Sequence, residues 1–210
     1  GWGGFAEFVA KKYDVSVDCI TISKNQYDFT KKRIFNSGLN NKVNVKFLDY
    51  RDVKDKYDHV VSIEMIEAVG EEYMDKYFET IKKVLNKDGT AAIQGIAIKN
   101  ELFNRYRANE DFIQKYIFPG GFLPSINFME KLIKKNDLKL EKINTYSDDY
   151  ARTLATWREN FLGVWDKISP LGFDDYFKRM WEFYLSYCEG GFKSRNINLI
   201  QFSMSNRYSS

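Results

Sequence analysis

A glycine-rich turn at the start of the sequence is the first feature that could bind a ligand. Gly1, Trp2, Gly3 and Gly4 precede residues 5–13, where apolar side chains recur at helical spacing. Glycines let a ligand approach the backbone closely, and the free amides at a helix N-terminus favour a carboxylate. A plain tight turn explains the same residues equally well, so this turn alone does not define a site.

A polar segment follows the first predicted strand, residues 15–22, and includes that strand's last two residues. Open α/β sheets bind ligands at the carboxyl ends of their parallel strands, which makes the segment a candidate binding site. Ser23 also suits the N-cap of a following helix, so ordinary capping is the alternative interpretation. The segment consists of Thr21, Ile22, Ser23, Lys24, Asn25 and Gln26.

Histidine is almost absent, which limits the acid–base chemistry of this sequence. His59 is the one histidine, so a Ser-His-Asp triad or a two-histidine metal site cannot be built within it. Cys19 and Cys188 lie far apart and in no metal-binding spacing, which predicts no metal site and fits a reducing, cytoplasmic setting. A reaction that releases a proton therefore needs another acceptor.

Composition indicates a globular domain and argues against a nucleic-acid-binding or membrane-spanning protein. The 210 residues are 44% hydrophobic and 17% aromatic, which is enough for one well-packed domain. The formal net charge is only +3 with both signs interspersed, which argues against a nucleic-acid partner. No apolar run reaches the roughly 18 residues of a membrane-spanning helix, so contact with lipid would be peripheral.

Alternating strands and helices predict an α/β fold with a mostly parallel sheet and right-handed crossovers. The predicted strands are residues 15–22, 43–48, 59–63, 90–98, 138–145 and 197–205. The predicted helices are residues 5–13, 24–35, 71–85 (closed by residues 87–89) and 109–116, one beginning near Ser125, and two aromatic-rich helices within residues 148–190. We expect the last strand to be antiparallel and the aromatic helices to form a cap on the same domain.

The beginning of the sequence breaks this alternation. A glycine turn that introduces a nucleotide-binding helix should itself follow a buried strand, yet the sequence starts at Gly1. We therefore expect a seven-stranded sheet whose first, central strand is missing from this sequence. The strands 15–22 and 59–63 would flank that gap in one sheet without pairing directly. A true terminus is the alternative, and it would leave the sheet without its middle strand.

Two further segments complete a recognisable series: DYRD at residues 49–52 and SIEMIEAVG at residues 62–70. With QGIAI (94–98), YIFPGGFLPS (116–125), SDDYARTLATW (147–157) and GFKSRNINLIQF (191–202), the sequence resembles the cyclopropane fatty acid synthase and mycolic acid cyclopropane synthase family. The resemblance covers essentially the entire sequence. It implies a class I, Rossmann-like methyltransferase fold and a single domain over residues 1–210, with the helical cap inserted at about 148–190.

The resemblance implies that the cofactor is S-adenosylmethionine. Gly1 to Gly4 would line its methionine portion, and the segment Thr21 to Gln26 would surround its ribose. Tyr50 and Arg51 fall where the family contacts the adenine. Thr21 and Gln26 would replace the acid with which class I methyltransferases commonly hold the ribose hydroxyls.

The resemblance also implies a reaction. The alkene of an unsaturated phospholipid acyl chain attacks the sulfonium methyl, and aromatic side chains can stabilise the resulting cation. A bound bicarbonate then removes a proton to close a cyclopropane ring, with Glu67, Gln94, Tyr150 and the backbone near Ile96 as its ligands. Glu67 would stay protonated and donate a hydrogen bond. Taken singly, these side chains are also explained as a helix-start acid, a strand amide and a core phenol.

Two departures from the family pattern, and several alternatives, stay open. Many members have histidine where Gln94 and Ala68 stand, and a cysteine ligand of the family would lie upstream of Gly1. The product could instead be a methyl or methylene branch, and relatives with the early motifs methylate small amines. A lipid-binding protein without catalysis is a further alternative. We expect a cytoplasmic enzyme peripheral to the membrane, with a homodimer left open.

Overall fold

The computed structural model describes residues 1–206, which fall into two compact units. The first unit spans Gly1–Asp55 and contains two parallel strands, with Val17 opposite Val43 and Thr21 opposite Phe47. Its core joins Ala6 and Ala10 of the first helix to Ile34 and Val43. In chain order the elements are α1 (Gly4–Lys12), β1 (Val17–Thr21), α2 (Lys24–Asn36), β2 (Val43–Phe47) and a 3₁₀ turn (Tyr50–Asp52).

The second unit begins at Lys56 and contains a four-stranded sheet. Its strands are β3 (Tyr57–Ile63), β4 (Leu85–Ile98), β5 (Leu138–Thr145) and β6 (Ile197–Asn206), in the spatial order β3-β4-β6-β5. Strands β3 and β4 are parallel, and β6 is antiparallel to both β4 and β5. Three strands therefore run in one direction and the last runs against them, as predicted.

Helices connect the strands of the second unit. They are α3 (Met74–Val84), α4 (Asn100–Arg107), α5 (Phe112–Tyr116), α6 (Ile126–Lys135), α7 (Ser147–Gly163), α8 (Trp165–Ile168) and α9 (Asp175–Lys193), with 3₁₀ turns at Ile66–Ala68, Glu71–Tyr73 and Ser169–Leu171. The predicted aromatic-rich helices are α7 and α9. Ala151 and Leu154 of α7 share a core cluster with Leu185 and Phe192 of α9 and Leu199 of β6.

The α/β class and all six predicted strands are confirmed, but the described residues do not form one continuous sheet. Strand β1 pairs with β2 and β3 pairs with β4, so β1 and β3 belong to different sheets. The prediction that these two strands lie in one sheet is therefore wrong for residues 1–206. The seventh strand would precede Gly1 and stays a prediction.

Two local predictions were wrong. Residues 87–89 do not close a helix, because β4 already begins at Leu85, which pairs with Tyr57. The helix predicted at 109–116 begins only at Phe112, as α5, where Asp111 and Gln114 form a capping box, and helix α4 before it was not predicted. Within residues 1–206, no helix is both long and apolar enough to cross a membrane.

Candidate active site

The glycine turn of the first unit depends on Gly3. Gly3 is the N-cap of α1 with φ of 79°, a left-handed conformation that favours glycine. A Cβ atom at Gly3 would lie 2.6 Å from Cγ2 of Thr30, whose hydroxyl donates a hydrogen bond to the Gly1 carbonyl at 3.1 Å. Gly4 is less crowded, since a Cβ there would meet nothing closer than the Arg33 guanidinium at 3.8 Å. Close packing onto α2 thus explains Gly3 without a ligand.

Trp2, also predicted to contact the cofactor, packs at the edge of this turn. Its ring lies 5.3 Å from the Phe29 ring in an edge-to-face arrangement, and its side chain is more than half exposed. The Trp2 carbonyl accepts a hydrogen bond from the Arg33 guanidinium at 3.3 Å. The turn therefore contacts α2 through Thr30, Arg33 and Phe29, while part of the Trp2 ring remains accessible to solvent.

The polar segment after β1 turns directly into α2. The Ser23 hydroxyl caps the helix by accepting from the Gln26 amide at 3.4 Å, so the capping interpretation is confirmed. The Thr21 hydroxyl donates to Oε1 of Gln26 at 2.7 Å and accepts from the Ser23 amide at 3.1 Å. Ile22 and Asn25 are exposed, and Lys24 pairs with Asp28 at 2.5 Å. Helix capping by Ser23 leaves Ile22 and Asn25 accessible to a ligand, so the segment remains a candidate contact for the ribose.

Tyr50 and Arg51 lie in the 3₁₀ turn after β2. Both the backbone amide and the guanidinium of Arg51 donate to Asp49, with guanidinium distances of 2.9 and 2.8 Å. Those hydrogen bonds hold the pKa of Asp49 below its ordinary value. Arg51 also lies over the Tyr50 ring at 5.9 Å, so the two side chains form one local surface.

Glu67 of the second unit is a buried carboxyl group. Its Oε1 accepts a hydrogen bond from the Ile96 amide at 2.6 Å, whereas its Oε2 is buried with no hydrogen-bond partner in the described residues. Burial raises the pKa of Glu67 to about 7, and the negative charge of Glu64 adds to the shift while the Ile96 amide opposes it. Glu67 therefore keeps its proton to a higher pH than an ordinary glutamate does.

Gly95 makes this arrangement sterically allowed. A Cβ atom at Gly95 would lie 2.5 Å from Cγ2 of Ile66 and 3.3 Å from Oε1 of Glu67. The Glu67 carbonyl also accepts from the Phe122 amide at 2.9 Å, which ties the Pro-Gly-Gly loop to the same turn. A glycine in a buried strand often marks such a close approach, and that signal was available in the sequence.

Gln94 and Tyr150 converge on a residue that the sequence analysis did not single out. Nε2 of Gln94 donates to Oε1 of Glu64 at 2.8 Å, and the Tyr150 hydroxyl donates to Oε2 of Glu64 at 3.0 Å. Nε2 of Gln201 donates to Oε1 of Gln94 at 2.7 Å, and the two glutamines face each other across β4 and β6. Gln201 thus turns the Gln94 amide so that its NH₂ group meets Glu64.

Tyr150 remains a hydroxyl donor in this setting. Burial, followed by the neighbouring Glu64 carboxylate, raises the pKa of Tyr150 well above its ordinary value. Its ring packs against Phe192 at 4.8 Å and Trp157 at 6.1 Å, both edge-to-face. Tyr150 therefore combines an aromatic wall with a polar tip, on helix α7 opposite the end of β3.

The four predicted bicarbonate contacts fit that ion only in part. The unpartnered Oε2 of Glu67 would donate to an anion when protonated, as expected. The Ile96 amide, however, already donates to Glu67, and Gln94 and Tyr150 both donate to Glu64. Three of the four predicted groups are satisfied by carboxyl groups of the chain itself. We therefore assign no chemical step to bicarbonate in this arrangement.

Comparisons with known proteins agree with the resemblance. A family model described as mycolic acid cyclopropane synthetase matches residues 1–202. The tuberculostearic acid methyltransferase UfaA1 of Mycobacterium tuberculosis is 36% identical over 205 residues, covering 97% of this chain and 48% of that protein. The cyclopropane-fatty-acyl-phospholipid synthase of Escherichia coli is 36% identical over 201 residues, covering 96% and 50%. The chain thus spans about half the length of these curated relatives.

Solved structures give the same result for the fold. Mycolic acid cyclopropane synthase CmaA1, complexed with SAH and CTAB, matches with a TM-score of 0.89 at 26% identity, covering 98% of this chain and 75% of that one. The cyclopropane synthase MmaA2 of Mycobacterium tuberculosis has the same TM-score at 24% identity. Sequence, fold and family model agree that this chain belongs to the mycolic acid cyclopropane synthetase family.

Proposed function

We propose that the full-length protein transfers the methyl carbon of S-adenosylmethionine to the cis double bond of an unsaturated phospholipid acyl chain and closes a cyclopropane ring. The observation that carries this proposal is the convergence of Gln94 and Tyr150 on one carboxylate, Glu64, beside the buried carboxyl group of Glu67. Alkene methylation needs no base for its first step, but ring closure needs a proton acceptor. A chain with a single histidine meets that need with positioned carboxyl groups.

The first unit supplies the proposed cofactor site. The left-handed backbone of Gly3 ends the turn so that α1 begins at Gly4, with free amides in its first turn that suit the methionine carboxylate. Thr21 and Gln26, joined by a 2.7 Å hydrogen bond, present polar atoms for the ribose hydroxyls. Tyr50 and Arg51 would contact the adenine. The CmaA1 structure, which contains SAH, supports a cofactor of this class.

Aromatic side chains of the second unit would protect the cationic intermediate. Trp157 and Phe192 surround the Tyr150 ring, and Phe118 packs against Tyr184 with ring centroids 6.1 Å apart. Aromatic faces attract a cation by about 0.5–2 kcal/mol each and exclude water that would otherwise add to it. These rings would suit the cationic intermediate of the proposed reaction.

The remaining expectations extend this proposal. Residues 1–210 would act as one methyltransferase domain whose cap, about 148–190, covers the acyl chain. Since the substrate lies within a bilayer, we propose a cytoplasmic enzyme that associates peripherally with membranes, and we leave open whether it is a monomer or a homodimer. Bicarbonate held by Glu67, Gln94, Tyr150 and the Ile96 backbone is the alternative proton acceptor, if Glu64 swings away from its two donors.

A methyl or methylene branch is the second candidate product. The chain is equally similar to UfaA1, a tuberculostearic acid methyltransferase, and to the Escherichia coli cyclopropane synthase, at 36% identity to each. Both products begin with the same methyl transfer and differ in the fate of the cation. The identity values therefore leave the product to experiment.

Product analysis tests the proposal directly. The full-length protein would be incubated with S-adenosylmethionine and vesicles of an unsaturated phospholipid, and the fatty acids analysed by mass spectrometry of derivatives that separate ring from branched isomers. We expect S-adenosylhomocysteine to form in step with a product 14 mass units heavier (one CH₂), resolved as the cyclopropane. Turnover on small amines with none on vesicles would contradict the proposal.

A further inference from the structure

We propose that the Glu64 carboxylate, not a bound bicarbonate, accepts the proton that is lost when the ring closes. This inference rests on the proposed function, because it assigns a role within that reaction. It starts from one finding: both oxygens of Glu64 receive a hydrogen bond from the groups that were expected to hold the bicarbonate. Gln94 donates to Oε1 at 2.8 Å and Tyr150 to Oε2 at 3.0 Å.

A side-chain carboxylate and a bicarbonate ion present the same chemistry to these donors. Each is planar, carries a negative charge and offers two oxygens that accept hydrogen bonds. Donors arranged for one can therefore hold the other in the same place. Because Glu64 is covalently attached, it does not have to be bound from solution, so it would have the advantage in filling this position.

The backbone of Glu64 holds the carboxylate where it is. Its φ of 50° is left-handed, a conformation that non-glycine residues rarely adopt and that costs free energy. The Glu64 amide also donates to the Gln94 carbonyl at 2.8 Å, so backbone and side chain are both joined to one residue of β4. A charged side chain kept at a strained position, at the carboxyl end of a parallel strand, is typical of a functional group.

Glu67 is poorly suited to the same role. Its Oε1 accepts from the Ile96 amide, and among residues 1–206 its buried Oε2 has no hydrogen-bond partner that would stabilise a negative charge. Burial raises its pKa to about 7, which favours the protonated form next to Glu64. The two carboxyl groups thus differ: Glu67 has a buried Oε2 atom and keeps its proton to a higher pH, while Glu64 accepts hydrogen bonds from two donors.

The proposed step balances without a further reagent. After methyl transfer, one alkene carbon bears the new methyl group and the other bears the positive charge. A C–H bond of that methyl group breaks, and its electron pair forms the third C–C bond of the ring to the cationic carbon. The proton passes to an oxygen of Glu64, which releases it to solvent after the product has left.

The first test separates methyl transfer from ring closure. In Glu64→Gln, S-adenosylhomocysteine should still form on phospholipid vesicles, while the fraction of product with a closed ring falls about 10²- to 10⁴-fold. Unsaturated or hydroxylated branched products should replace it. Glu101→Gln is the matched control, because Glu101 is an exposed acid of α4 whose ion pair with Lys99 is loose, at 3.9 Å. Calorimetry with S-adenosylmethionine checks that each variant is folded.

The second test uses the left-handed backbone. Glu64→Gly removes the carboxylate at a position whose φ glycine adopts without strain, so the fold should be retained. Gln94 and Tyr150 then become free to hold an ion from solution. We expect ring closure by this variant to depend on added bicarbonate, and ¹³C-labelled bicarbonate to bind it saturably by NMR. The wild-type protein should close rings in bicarbonate-free buffer and show no such binding.

Three results would overturn the inference. Ring closure by Glu64→Gln at the wild-type rate would exclude Glu64 as the acceptor. Loss of wild-type ring closure on removal of bicarbonate, with recovery on its return, would assign the step to that ion. Glu64→Gly that closes rings without bicarbonate would point to another group. Failure of the proposed function looks different, since the wild-type protein would then form no S-adenosylhomocysteine on lipid at all.

Discussion

The buried carboxyl group of Glu67 predicts an unusual pH dependence of stability. Its pKa is raised from an ordinary value of 4.5 to about 7, chiefly by burial. The folded state therefore keeps a proton that the unfolded chain releases above about pH 4.5. The associated stability is complete below the unfolded pKa and is lost as the pH rises through the folded one. Each pKa unit corresponds to 1.36 kcal/mol, so the whole shift costs roughly 3 kcal/mol at alkaline pH.

Substituting Glu67 with glutamine isolates this cost, because glutamine keeps the shape of the side chain but does not titrate. Its carbonyl oxygen can still accept from the Ile96 amide. Integrating the linkage between pH 5 and pH 8 gives a change of roughly 2–3 kcal/mol in the free energy of unfolding of Glu67→Gln relative to wild type. Any fixed cost of the amide cancels in this comparison. The free energy of unfolding of Glu67→Gln should therefore increase relative to that of the wild type as the pH rises.

Urea unfolding followed by circular dichroism at four pH values from 5 to 8 would measure the difference. Glu101→Gln replaces an exposed acid of the same unit and is the control. Its free energy of unfolding should differ from that of the wild type by the same amount at every pH. A pH-independent difference in the free energy of unfolding between Glu67→Gln and the wild type would refute the raised pKa, because Glu67 would then titrate in the folded state as it does in the unfolded chain.

Three further predictions concern glycines and a charge network. Gly95→Ala should lower the free energy of unfolding by about 1–3 kcal/mol in urea titrations, since its Cβ would lie 2.5 Å from Ile66; an unchanged midpoint would contradict the packing. Gly4→Ala should keep the melting temperature but weaken S-adenosylmethionine binding in calorimetry, because the nearest protein atom is 3.8 Å from the new Cβ; undiminished affinity would exclude a close cofactor contact. Hydrogen bonds from Lys11, Ser37 and Arg33 lower the pKa of Glu7 to about 2, so Glu7→Gln should lower the urea midpoint at pH 7, and this gap should close as the pH falls toward 2.

Much of the fold was predictable because its signals are local. Strand β5 was predicted at its observed bounds, and β2 and β6 to within one residue, since apolar and β-branched runs bounded by polar residues mark such strands. Helix α4 was missed because it starts directly after β4, with no side-chain cap at Lys99 to announce it. The division into two sheets follows from pairing between distant segments, which sequence periodicity does not report.

The candidate site was predictable in its members but not in its contacts. Gln94, Tyr150 and Glu67 came from family resemblance, and the structure brings all three close to Glu64. The bonds that join Glu64 to Gln94 and Tyr150 span 30 and 86 residues, so no local pattern relates them. Glu64 itself offered one signal, as an acid at the end of a buried strand, where α/β sheets collect functional groups.

The left-handed backbone at Glu64 affects how such a site can evolve. Codons for glutamate and glycine differ by one base, and glycine tolerates this φ better than glutamate does. A single mutation could therefore exchange a covalently attached acid for an open anion pocket without a loss of folding. Under the proposed mechanism, ring closure in the glycine variant would then depend on dissolved bicarbonate. Relatives on either side of that substitution would share one scaffold yet respond differently to the gas composition of their surroundings.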